Sequence, residues 1–146
     1  MSENTKVDWA TATWSPVLGC TKCSPGCNHC FAIRQVWRMA HNPNEKIREA
    51  NAGLVEPYQA IGDGQYVTKY GWTGEVRCLP DRLDWPLRWK QPKRILVPTL
   101  SDIFHPEVPD AFIDRIWATM ASAPRHRYLV LTKRPERMRE VMKDYY

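Results

Sequence analysis

Four of the chain's five cysteines, Cys20, Cys23, Cys27 and Cys30, fall within eleven positions. Their spacing is C-x2-C-x3-C-x2-C, with Pro25 and Gly26 at the centre. Proline and glycine favour a turn, and a two-residue gap lets neighbouring sulfurs face one centre once the chain turns back. Thiolates are soft ligands, suited to zinc and to iron–sulfur clusters. One reading is a structural zinc site of all four thiolates. Zinc ribbons ordinarily place many more residues between their two C-x2-C pairs. The other reading is an iron–sulfur cluster, which thiolates in a compact loop can hold. Cys20, Cys23, Cys27 and Cys30 are metal-ligand candidates under both. Inert packing accounts poorly for four thiols so close together. Cys78 stands apart beside Val76 and reads as a small buried hydrophobe.

Two polar clusters offer further chemistry. Ser101, Asp102 and His105 follow an apolar run that ends at Val97. Thr132, Lys133 and Arg134 follow another that ends at Leu131. In parallel α/β proteins ligands sit at the carboxyl ends of strands, so both clusters would share a rim with the cysteine loop. Asp102, Lys133 and Arg134 are the catalytic candidates, and Ser101, Asp102 and Lys133 the cofactor-binding ones. A carboxylate suits a ribose or an amine; lysine and arginine suit a carboxylate or phosphate. The plainer alternative is that Asp102 pairs with Lys133 or Arg134 to hold loops together, or caps a helix. His105, before Pro106, reads as structural. His29 and His41 are weaker ligand candidates than the thiolates.

These residues need a scaffold. Apolar residues recur at helical spacing in FAIRQVWRMAH (Ile33, Val36, Trp37, Ala40), in PDAFIDRIWATMASA (Ile113, Ile116, Trp117, Met120) and in RPERMREVMKDYY (Met138, Val141, Met142, Tyr145). Pro109 and Pro135 suit first helical turns. A weaker helix is expected over Pro80–Trp89. Continuous apolar runs at Arg94–Pro98 and Tyr128–Thr132 predict strands buried on both faces. Further strands are expected over Ala12–Val17 and Glu75–Leu79. Residues 41–74 are too long for a simple connection and read as a partly structured insertion or lid. The order is an α/β one, with about four βα units in a single domain of residues 1–146.

The bulk properties fit a soluble protein. Charged residues make up 25% and the net charge is +5, which permits nucleic-acid contact without requiring it. The basic run Arg88–Arg94 reads as a solvated loop. Trp72, Trp85 and Trp89 lie near basic segments, where aromatic and basic residues together can hold single strands, but ordinary packing is the better reading. No run is long enough to span a bilayer, and the start carries no basic-then-apolar leader. A cytoplasmic setting is expected, where disulfides are rare.

The sub-pattern Cys23-x3-Cys27-x2-Cys30, with Phe31 beside it, resembles that of the radical S-adenosylmethionine superfamily. The stretches TATWSPVLGCTKCSPGCNHCFA, GWTGEVRCLPDRLDWPLRW, LSDIFHPEVPDAFIDRIWATMASAP and VLTKRPERM together resemble a bacteriophage and prophage family known for a three-cysteine motif. That family's triad matches Cys20, Cys27 and Cys30; Cys23 is an addition. The resemblance implies a radical-SAM-type (β/α) TIM barrel, here partial or truncated. It implies a 4Fe-4S cluster and S-adenosylmethionine, which is cleaved reductively to start radical chemistry on an unknown substrate. Cys27 and Cys30, with Cys20 or Cys23, would hold the cluster, and Asp102, Lys133 and Arg134 would line the site. The alternative is a non-catalytic four-cysteine module that holds zinc or a saturated cluster and binds a protein or nucleic acid.

Overall fold

Ile33 and Val36 on one helix, and Ile113 and Ile116 on another, are the buried stripes that periodicity predicts. In the computed structural model, which describes residues 5, 7–62 and 65–145, they cover two neighbouring cores. The strands are β1 (Ala12–Thr13), β2 (Val17–Leu18), β3 (Val55–Gly62), β4 (Gln65–Trp72), β5 (Arg77–Cys78), β6 (Arg94–Val97) and β7 (Arg127–Val130). The helices are α1 (Phe31–Ala40), α2 (Glu45–Asn51), α3 (Trp85–Arg88), α4 (Asp110–Ser122) and α5 (Pro135–Met142). Pro135 opens α5, while Pro109 sits one position earlier than expected, as the N-cap of α4. None of these helices is long and apolar enough to cross a membrane.

The central sheet is parallel, in the order β1-β6-β7. Ala12 pairs with Ile95, and Ile95 with Tyr128, so β6 is the middle strand. Ile95, Leu96 and Val97 are buried, as a middle strand requires. β7 is an edge strand and only half-buried, which corrects the expectation that it is covered on both faces. β6, α4 and β7 form one βαβ unit.

The partial barrel is overturned. Among the described residues, parallel pairing stops at three strands and no barrel closes. The expected Glu75–Leu79 strand shortens to β5, which pairs antiparallel with β2. Two physical causes are visible. Pro16, without an N–H, splits the expected Ala12–Val17 strand, and its carbonyl accepts from Leu79 N–H at 2.8 Å. The expected Pro80–Trp89 helix breaks into a 3-10 turn (Pro80–Arg82) and the four-residue α3. The connection between β5 and β6 therefore carries no helix of the length that ordinarily covers a parallel sheet in a βαβ unit.

Most of residues 41–74 form α2 and the β3–β4 hairpin, with Val55 opposite Trp72. Residues 63–64, between the two strands, lie outside the described residues, as does Tyr146 of the expected last helix. The first core gathers Trp14, Ile95, Val97, Phe104, Ile113 and Ile116 around the parallel sheet. The second packs Leu18, Ile33, Val36, Leu54, Val55 and Leu100 beneath the cysteine loop. Each large side chain fully buried there contributes about 1.5–3 kcal/mol. Trp89 is buried and Trp85 packs on the first core, so packing explains both.

Candidate functional site

The cysteine loop leaves β2 at Gly19, which has φ +82°. A Cβ there would stand 2.0 Å from the Glu75 carbonyl oxygen, so no other residue fits without moving backbone. Gly19 also forms a parallel bridge to Ser101. Ser101 Oγ donates to the Val17 carbonyl at 2.6 Å. The loop after β6 is thereby stitched to the start of the cysteine loop. Pro25–Cys27 then make one 3-10 turn, with Cys27 N–H donating to Ser24 O at 2.9 Å. This is the turn that Pro25 and Gly26 predict.

The loop after β7 clamps the same segment from the other side. Lys133 Nζ donates to Gly26 O at 2.7 Å, and Cys23 Sγ to Lys133 O at 3.4 Å. The Arg134 guanidinium donates to Thr21 O (2.9 Å), Thr21 Oγ1 (3.0 Å), Cys20 Sγ (3.6 Å) and Asp102 Oδ2 (3.3 Å). Asp102 is buried. Its two oxygens also accept from Phe104 N–H, Thr132 Oγ1 and Lys133 N–H at 2.8–3.0 Å. A buried charge is tolerable when paired and hydrogen-bonded this completely. Asp102 and Arg134 thus join three loops: after β2, after β6 and after β7.

His105 belongs to the same network. Its Nδ1 accepts from Glu107 N–H at 3.2 Å, so Nε2 carries the proton and donates to Thr21 Oγ1 at 2.8 Å. Burial, reinforced by Arg134, holds the ring's pKa below its usual value, consistent with a neutral imidazole. Thr21 is the residue that sequence reasoning missed. Its only signal was its place beside Cys20.

The four thiols differ in their surroundings. Cys27 is buried, and Cys23, which is exposed, stands 3.9 Å from it, sulfur to sulfur. Burial pushes the Cys27 thiol up, but hydrogen bonds with the backbone and side chains of Cys23 and Ser24 outweigh it and bring its pKa to about 7. Burial raises Cys20, and Arg134 only partly offsets this. Burial and the neighbouring Cys27 raise Cys23 against the pull of Arg134. Cys27 is therefore the first of these three to ionise.

Cys20, Cys27 and Cys30 line one pocket of about 390 Å³. Ser101, Asp102, Lys133 and Arg134 line it too, with Trp72 and Phe31 on its walls. The structure thus brings together every site residue that the sequence singled out except Cys23, which is tied back to Lys133 O. His29 also lines the pocket, whereas His41 turns away, its Nδ1 lying 2.8 Å from Trp37 O. Among the described residues, no three His, Cys, Asp or Glu side chains converge on a single metal-ion position. Cys20, Cys27 and Cys30 share that pocket, and thiolates are the ligand type that both zinc and iron–sulfur clusters take.

Neither a curated protein nor a solved structure matches the chain. A family model does match residues 4–146, and the chain belongs to that family, described as "Protein of unknown function (DUF5131)".

Proposed function

We propose that the protein is an iron–sulfur enzyme that cleaves S-adenosylmethionine reductively to start radical chemistry. The observation that carries the reading is the shared pocket of Cys20, Cys27 and Cys30, the triad of the three-cysteine family the sequence resembles. These three would hold the cluster. When bound and reduced there, such a cluster would supply the electron for cleaving a sulfonium carbon–sulfur bond. The chain's own residues do the rest. Arg134 and Lys133 fix the loop, and Arg134 places positive charge beside Cys20 and Cys23, which partly offsets the cost of burying their ionised forms. The oxygens of Asp102 are occupied by the clamp, so its role is positioning. Trp72, Phe31 and Leu131 give the pocket apolar walls that limit water near the ligand.

The test is anaerobic reconstitution, with iron, sulfide and the visible spectrum measured for each cysteine variant. About four irons and four sulfides per chain are expected. Cys20→Ala, Cys27→Ala and Cys30→Ala should lose the cluster, and Cys23→Ala should keep it. Cluster-loaded protein under strong reductant should then release 5′-deoxyadenosine. A loaded protein that leaves S-adenosylmethionine intact would remove the enzymatic part.

One observation favours a second reading. The Cys23–Cys27 separation of 3.9 Å is close to the edge of a zinc–thiolate tetrahedron, about 3.8 Å for bonds of about 2.3 Å. One zinc, no sulfide and equal metal loss in all four variants would establish that site instead.

A further inference from the structure

A second groove opens beside the thiol pocket, between α1 and the β3–β4 hairpin. Its volume is about 910 Å³, and it shares His29, Cys30 and Phe31 with the pocket. Lys22, Arg34, Arg38 and Lys69 line it, and among the described residues no Asp or Glu does. All four cations are exposed. None has an ion pair or a side-chain hydrogen bond among the described residues. Arg48, Arg77, Arg88, Arg134 and Arg137 each face a carboxylate, whereas Arg94, Arg127 and Arg139 do not among the described residues; what sets the groove apart is four such cations lining one cavity. Arg34 and Arg38 also stand i, i+4 on one helix, where like charges repel unless an anion lies between them.

Aromatic faces accompany the charge. Phe31 is 68% exposed and Tyr58 40% exposed, and both line the groove. Gly71 leaves room for the Tyr58 ring: a Cβ there would stand 3.1 Å from two of its carbons. Tyr70 backs the groove, packed at a tilt against Trp37 with ring centroids 4.6 Å apart. Unpaired cations that track a backbone, with exposed rings for bases to stack on, are the two elements of single-strand recognition.

We propose that this groove binds single-stranded nucleic acid, with phosphates on Lys22, Arg34, Arg38 and Lys69 and bases on Phe31 and Tyr58. Because Phe31 borders both cavities, a bound strand places one nucleotide at the thiol pocket. That last step rests on the reading given above and makes a nucleotide the substrate; binding itself does not depend on it.

The test is fluorescence anisotropy with labelled oligonucleotides of about 12 residues, one RNA and one DNA, a length within the usual site size for such grooves. It is run on protein with and without reconstituted cluster, so failure to bind is separable from failure to load iron. Binding that weakens steeply with salt is expected. Arg34→Glu with Arg38→Glu should weaken it at least tenfold, and Phe31→Ala or Tyr58→Ala roughly tenfold each. Arg139→Glu with Lys143→Glu, the same charge change on exposed positions near the chain's end, should leave it unchanged. Thermal melts of all variants check the fold. Equal loss in the two charge-reversal pairs, equal affinity for duplex, or no binding at low salt would each overturn the proposal. Unequal affinity for the RNA and DNA strands supports it and identifies the natural one.

Discussion

Arg134 and the pair Arg34 and Arg38 show one residue type used in opposite ways. Arg134 is buried, and its guanidinium is spent on Asp102, Thr21 and Cys20. The other two stand in solvent without a carboxylate partner among the described residues. A buried, saturated cation holds a loop; an exposed, unsatisfied one is available to a ligand. The clamp and the groove meet at the cysteine loop, so position and recognition are kept on separate sides of it.

The largest expected effect is on the clamp. Arg134→Ala leaves the Asp102 charge buried without its ion-pair partner and should cost about 3–5 kcal/mol, read by urea unfolding. Arg34→Ala with Arg38→Ala should move the same transition by no more than about 0.5 kcal/mol. If the two costs were similar, the division between holding and recognition would fail. Gly19→Ala comes next, at about 2–4 kcal/mol, because it forces an L residue to positive φ and onto the Glu75 carbonyl. Gly71→Ala, in the groove, should cost less than Gly19→Ala, since a tyrosine ring can shift where a backbone carbonyl cannot.

Thiol reactivity sharpens the contrast without touching stability. The thiolate is the reacting form, so alkylation of metal-free Cys27 should rise with pH through about 7 and fall away below it. Cys20 and Cys23 should rise only above the ordinary thiol range, because their thiols are raised. Mass spectrometry of partially labelled protein reads each site. Arg134→Lys should raise the Cys20 profile further, since a point charge cannot reproduce the guanidinium's four contacts. The profile of Cys27, set mainly by Ser24 and Cys23, should stay near its place.

Much of the scaffold was legible locally. The stripes of α1 and α4, the presence of α5 and the strands β6 and β7 follow from spacing and apolar runs, which need only neighbours in sequence; of the expected α5 stripe only Val141 and Met142 pack on the core, while Met138 and Tyr145 are exposed. The barrel was not, because sheet closure depends on which strands pair and in what direction. Pro16 and the short α3 decided that, by turning β5 antiparallel onto β2. Asp102, Lys133 and Arg134 were legible as a rim cluster at strand ends. That Asp102 pairs with Lys133 or Arg134 to hold loops together was among the alternatives the sequence left open. Only their burial chose it.

By itself, the sequence determined the thiol spacing, the turn at Pro25–Gly26, the helical stripes and an excess of positive charge. These are properties of near neighbours and of composition. The tertiary structure decided which thiols share a pocket, since Cys23 is drawn to Lys133, 110 positions away. It also decided where the charge acts. Arg34 and Arg38 are one turn apart, but Lys22 joins them only through the fold of the cysteine loop, and Lys69 only when the hairpin folds beside α1. Long-range contacts carry no local signature, because the energy that selects them is realised only once the loops between have closed.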